Sequence, residues 1–133
     1  HFALRDGDRL VAHASVVERR LYAGERALRT GYVEAVATAP GRACEGLATR
    51  AMSAAAEIVT ATYELGALST SATGFYRRLG WESWQGPTYV VTPTGRVRTP
   101  DEDDGVMVLR FGPSADLDLS GPLACEQRPG DDW

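Results

Sequence analysis

Residues 39–52, APGRACEGLATRAM, are where the chain changes its period. Pro40 and Gly41 interrupt what precedes them. Small residues follow at Cys44, Gly46 and Ala48, and an apolar spacing of helical period then begins. A helix is predicted over about 46–61, with Leu47, Ala51, Ala54, Ala55, Ile58 and Val59 on one face and Arg50 and Glu57 pointing outward. On this stretch alone the turn has two readings. It is an ordinary loop ahead of a core helix, or a place where bare N–H groups at a helix start hold an anion. The patterns G-x-x-x-x-G-K-[ST] and G-x-G-x-x-G are both absent, which excludes the usual nucleotide loops.

Upstream, residues 1–40 read as three strands turned at DGD (6–8) and AGE (23–25), the third running from about Ala27 to Thr38. Pro40, which cannot donate to a ladder, ends it. Downstream, Tyr63 to Ser69 is a short buried strand. TSATGFYRRLGW (70–81) offers Ser71 or Thr73 as a cap, a helix carrying Phe75, Tyr76 and Leu79, and Gly80 as its stop. Trp81 to Val91 and Val106 to Phe111 read as two further strands, and the last twenty residues as loop with little regular structure. The order β-β-β-α-β-α-β-β is an antiparallel meander followed by an α/β crossover unit.

Length and composition bound the class. A chain of 133 residues with 44% hydrophobic content is one expected domain, large enough to bury about two-thirds of its unfolded surface. No apolar run approaches the ~18 residues of a membrane span, and no signal-peptide pattern is present. The first residue is His, so the chain is expected to begin at a processed end or within a longer protein. Cys44 and Cys125 are the only cysteines and lie far apart. With no C-x-x-C or Cys/His cluster, no metal site is expected and a reduced, cytoplasmic setting is the default. Every basic residue is Arg.

Charge is unevenly spread. Residues 101–133 hold nine of the 18 acidic residues and two of the 14 Arg, a net of −7, which leaves residues 1–100 at +3. A mildly basic body suits a phosphate-bearing ligand, and an acidic C-terminal segment suits a cationic one or is simply a solvated tail. Without a basic stripe interleaved with aromatics, nucleic acid is not an expected partner. Glu34, flanked by apolar residues near the end of GYVEAVA (31–37), is a candidate general base or an outward-facing strand residue.

FYRRLGW at 75–81 and ACEGLA at 43–48, on the order of elements above, resemble the GNAT superfamily of acetyl-CoA-dependent N-acetyltransferases. Its members open a helix with a motif close to [QR]-x-x-G-x-[GA] and carry F-Y-x-x-x-G-[WF] on a later helix. Gly46 and Ala48 are kept; Ala43 stands where the family has Gln or Arg, with Arg42 as the candidate replacement. Within the superfamily, the stretches beginning at His13, YELGALSTSA (63–72), GWESWQGPTYVVTPTGRVRTPDEDDG (80–105) and the terminal PGDDW look like the aminoglycoside 2′-N-acetyltransferases. The match runs from about Leu10 to Trp133.

The resemblance implies a GNAT α/β (α+β) fold, a mixed, mostly antiparallel sheet flanked by helices, here without the family's N-terminal strand and helix pair. It implies direct attack of an amine on the thioester of acetyl-CoA. Glu34 would be the base, through water. The backbone N–H of Val36 would polarise the carbonyl, and Tyr76 would protonate the departing thiolate. Val36, Ala37 and Thr38, with Ala43, Cys44, Glu45, Gly46, Leu47 and Ala48, would hold the cosubstrate and its pyrophosphate. A cationic aminoglycoside would meet Glu34, Ala35 (often Gly in the family), Ser69, Asp101, Glu102, Asp131 and Trp133, whose carboxylate also counts among the catalytic groups. Another amine acceptor, or a non-catalytic binder of acyl-CoA or aminoglycoside, are the alternatives. GNAT enzymes are often dimers, which leaves a homodimer open.

Overall fold

A computed structural model of the chain describes residues 2–6, 9–37 and 42–133. Among the described residues nine strands form one mixed sheet in the order β5-β8-β4-β3-β2-β9-β6-β7, with β1 paired to β2 beside that path. The elements are β1 (Phe2–Asp6), β2 (Arg9–Ala23), β3 (Arg26–Ala37), α1 (Arg42–Thr62), β4 (Leu65–Ser69), α2 (Thr73–Arg78), β5 (Glu82–Ser83), β6 (Thr88–Thr92), β7 (Gly95–Arg98), β8 (Val106–Leu109) and β9 (Leu123–Glu126). The expected meander is present. β2 and β3 form a long antiparallel hairpin, with Ser15 opposite Glu34 and Tyr22 opposite Ala27. Among the described residues only the β3–β4 and β6–β9 pairings are parallel.

Strand alternation divides the core between the two faces of the sheet. Val33 of β3 and Leu68 of β4 pack with Ala51, Met52, Ala55 and Val59 of α1. Leu28 and Tyr32 of β3 face the other way, onto Trp84, Leu117, Cys125 and Trp133. Gly31 permits the first packing. A Cβ there would lie 2.8 Å from the Tyr63 ring and 2.9 Å from a Val59 methyl, so a larger residue would push α1 off the sheet.

Several expected boundaries are corrected. The helix expected from residue 46 begins at Arg42, and its buried stripe runs through Met52 while Ile58 is 43% exposed. Neither Ser71 nor Thr73 caps α2. Ala72 is its N-cap without a side-chain bond, and its N–H donates to Thr70 Oγ1 at 2.9 Å. The strand expected over Trp81 to Val91 is two strands in different places, since β5 pairs with β8 and β6 with β7 and β9. Between them the Gln85 and Gly86 N–H groups both donate to the Leu119 carbonyl, at 2.8 and 3.0 Å. Pro87 has no N–H to continue a ladder.

The strand expected over Val106 to Phe111 ends at Leu109, because Ser114 N–H and Oγ both donate to the Phe111 carbonyl in a short 3-10 turn. The largest correction is in the tail. Instead of loop, it contains β9, inserted between β2 and β6 with Leu123, Ala124 and Cys125 fully buried.

Candidate active site

The cleft opens where two parallel strands separate. β3 and β4 pair at Thr30–Leu65, Gly31–Gly66 and Tyr32–Ala67. β3 continues to Ala37 and β4 to Ser69, with no further pairing between them among the described residues. Crevices beyond the carboxyl ends of parallel strands are common ligand sites, because the parted backbones leave room and free hydrogen-bonding groups. Here the space is about 470 Å³. It is lined by Tyr32, Val33 and Glu34 of β3, Leu68, Ser69 and Thr70 at the end of β4, Tyr76 of α2, and Arg128, Pro129, Asp131 and Trp133 of the tail.

Glu34 shares the face of Tyr32, away from α1, by the alternation of the strand. Its carboxylate, about half exposed, meets Arg128 at 3.0 Å. Arg128 is held from behind: its Nε donates to the Asp131 carbonyl at 2.7 Å and its backbone N–H to Asp132 Oδ1 at 3.2 Å. The guanidinium also lies 5.2 Å from the centre of the Tyr32 ring, which the guanidinium of Arg19 approaches at 4.8 Å. Cation–π contact favours both placements. Burial drives the Tyr32 hydroxyl far above the ordinary phenol range, against the opposing pull of Arg19 and Arg128. That hydroxyl and the Trp133 indole N–H are both buried without a hydrogen-bond partner.

Tyr76 comes from the other side of the cleft. Its ring is buried edge-to-face against Phe75, centroids 4.9 Å apart, and burial raises its hydroxyl above the ordinary value. The Tyr76 carbonyl accepts from Leu79 and Trp81 N–H at 2.9 and 3.2 Å. FYRRLGW is thus a tight helix exit that fixes Tyr76 against Trp81.

The tail is seated by its apolar end. Trp133 is 6% exposed within the core cluster of Tyr32 and Trp84. The Cys125 thiol, pushed up to about 11 by desolvation, keeps its proton and donates to the Asp132 carbonyl at 3.3 Å.

Of the residues expected from sequence, Glu34, Ser69, Tyr76, Asp131 and Trp133 line this one cleft. Asp101 and Glu102 do not line it; they form a 3-10 turn, and Glu102 Oε2 accepts from Ser69 Oγ at 2.9 Å. Ala35, Val36 and Ala37 are the last residues of β3, with Val36 opposite His13. Ala43, Cys44, Glu45, Gly46, Leu47 and Ala48 occupy the first two turns of α1, where a Cβ at Gly46 would meet nothing within 4 Å among the described residues. Thr38 lies outside the described residues.

Sequence reasoning missed Tyr32 and Arg128 in the cleft. The one available signal for Arg128 was a single cation in CEQRPGDDW, an otherwise acidic stretch. Among the described residues, no group of three or more His, Cys, Asp and Glu side chains converges as a metal site. No helix there is long and apolar enough to cross a membrane.

Residues 2–84 match the sequence profile described as the acetyltransferase (GNAT) domain. A curated aminoglycoside 2′-N-acetyltransferase of Mycolicibacterium fortuitum is 48% identical in an alignment 128 residues long that covers 93% of this chain. The chain spans 66% of that relative's length. A crystal structure of a GCN5-related N-acetyltransferase from Kribbella flavida is 26% identical, with a TM-score of 0.47 over 61% of this chain and 21% of that one. With the domain match covering well over half of its residues, the chain belongs to the GNAT acetyltransferase family and carries that family's mixed α/β fold.

Proposed function

We propose that the protein is an acetyl-CoA-dependent N-acetyltransferase that acts on the 2′-amino group of aminoglycosides. One observation carries the reading: a carboxylate, Glu34, and a phenol whose proton burial retains, Tyr76, line the same cleft. Amine acetylation needs both. An ammonium must lose a proton before its nitrogen can attack, and the departing sulfur must not leave as a bare thiolate.

In this reading Glu34 takes the ammonium proton and the Tyr76 hydroxyl holds a proton against the leaving sulfur. The family resemblance assigns the thioester oxygen to the N–H of Val36, in the last stretch of β3. The cosubstrate's pyrophosphate would rest on the start of α1. That helix has 21 residues, so its first N–H groups and dipole favour an anion. The open space around Gly46 fits close approach of a ligand to that backbone.

The choice of acceptor is supported by the relative from M. fortuitum and by the carboxylates of Glu34 and Asp131 in the cleft. Ser69 and its partner Glu102, with Asp101 beyond, would extend the same cationic site. A reduced cytoplasmic setting, where acetyl-CoA is made, completes the proposal. The test is release of free CoA thiol from acetyl-CoA with gentamicin, run beside an analogue bearing a 2′-hydroxyl. Turnover confined to the 2′-amino compound is expected. Equal rates with both, or turnover only with unrelated amines, would remove the assignment.

A further inference from the structure

The acceptor side of the cleft already holds a cation. We propose that Arg128 is an internal competitor of the acceptor amine: it occupies Glu34 in the free protein, and an incoming ammonium must displace it. The inference rests on Glu34 being the group that receives the amine. Three observations support it. Arg128 Nη1 sits 3.0 Å from Glu34 Oε1, the place an acceptor ammonium would take. The pair leaves 49% of the Glu34 side chain exposed, so a second cation can approach before the first departs.

Arg128 also has other anchors. Its Nε bond to the Asp131 carbonyl and its position over the Tyr32 ring do not depend on Glu34. Releasing the carboxylate therefore costs one ion pair and leaves the tail seated by Trp133. Because every acceptor must break the same pair, the effect is a uniform weakening of acceptor binding. Half-exposed pairs of this kind hold their partners about 1.5- to 5-fold, and removing Arg128 should tighten acceptor binding by that factor.

The test is calorimetric titration of gentamicin into the wild-type chain, Arg128→Gln, Glu34→Gln and the double variant. Binding tighter by about 1.5- to 5-fold is expected for Arg128→Gln alone, with the gain largely lost on the Glu34→Gln background. An equal gain on both backgrounds would reduce Arg128 to general charge repulsion, and weaker binding by Arg128→Gln would make it a substrate ligand; either overturns the proposal. The NMR signal of Arg128 Nε–H reports independently of any variant's folding. It should move as gentamicin saturates the wild-type chain, and a bound state that leaves it unmoved also overturns the proposal.

Should gentamicin not bind at all, the aminoglycoside reading fails by itself. n-Propylammonium, a simple amine, then serves as the probe. Movement of the Arg128 signal in the wild-type chain but not in Glu34→Gln supports the competition, and no movement in either refutes it.

Discussion

Two arginine–carboxylate pairs in this molecule look alike on a contact list and differ in everything that decides their use. Arg98 grips Asp103 with both nitrogens, at 2.7 and 2.6 Å. Asp103 also accepts from the Thr88 hydroxyl at 2.9 Å and the Thr88 N–H at 3.2 Å, so the carboxylate is saturated. The fork and these donors hold its carboxyl far below the usual range, the Arg98 hydrogen bond being the largest cause. Arg128 meets Glu34 at 3.0 Å, at the mouth of a cleft, with about half of the Glu34 side chain exposed. A forked, multiply bonded pair ties β6 and β7 to the turn at residues 100–102. A half-exposed pair facing open space is one that a ligand can exchange.

The comparison is broken most directly at Glu34. On the proposed reading of Glu34 as the base, Glu34→Gln should lower acetyl transfer by about 10²- to 10⁴-fold, while thermal unfolding stays within about a degree of the wild type because surface changes cost little. A large fall in the unfolding temperature would make the pair structural after all.

Next in size is the seam that seats the tail without Arg128. Gly86 presses against the carbonyls of Ser120 and Gly121, where an added Cβ would lie 2.5 and 2.0 Å away, and Trp84 Nε1 donates to the Gly121 carbonyl at 2.9 Å. Gly86→Ala should therefore destabilise the protein by about 1–3 kcal/mol through overpacking, measured by denaturant unfolding. Arg128→Gln should not approach that loss. If the two are equal, the tail hangs on the ion pair.

The smallest expected effect sharpens the other side. The Asp103 carboxyl is depressed in the folded state, so its contribution to stability is fully present above the unfolded value, about pH 4. It is lost as pH falls from there toward the folded value. Asp103→Asn should lower the unfolding temperature by a few degrees at pH 7 and by less at pH 3, as followed by circular dichroism. A difference that grows in acid would reverse the assignment. The carboxylate is partly exposed, which keeps the effect modest.

What the sequence allowed to be read divides along the same line between local and distant causes. Alternation in β1–β3, the period change into α1 and the FYRRLGW exit of α2 are local signals, and each produced an element close to its expected place. β9 is four residues, LACE, two of them small and flanked by Pro122 and Gln127. Its strand character comes from β2 and β6 on either side, partners that no window of the sequence contains. Glu34 and Tyr76 were legible because their neighbours form a motif. Arg128 was not, since what brings it to the cleft is that same insertion of the tail into the sheet; Tyr32, two residues before Glu34 on the same face of β3, belongs to no motif. Asp103, Asp116 and Asp118 read as part of an acidic patch, yet they bond to Arg98, Arg26 and Ser120. Charge counted along the chain does not say which acids are left for a ligand.

The position of β9 also sets a timetable for folding. It is the strand that joins β2 to β6 and β7, and its residue Ala124 pairs with Tyr22, about a hundred positions earlier. While a ribosome is still making residues before 123, the β2–β3 hairpin and the β6–β7 hairpin can each form, but the strand that unites them does not yet exist. Contacts so distant in sequence are slow to close. Until they do, the edges of β2 and β6 that β9 will cover stand open to any other strand that passes. Completion of the cleft, which Arg128, Asp131 and Trp133 help to line, waits on the same segment, so the site and the sheet are completed together.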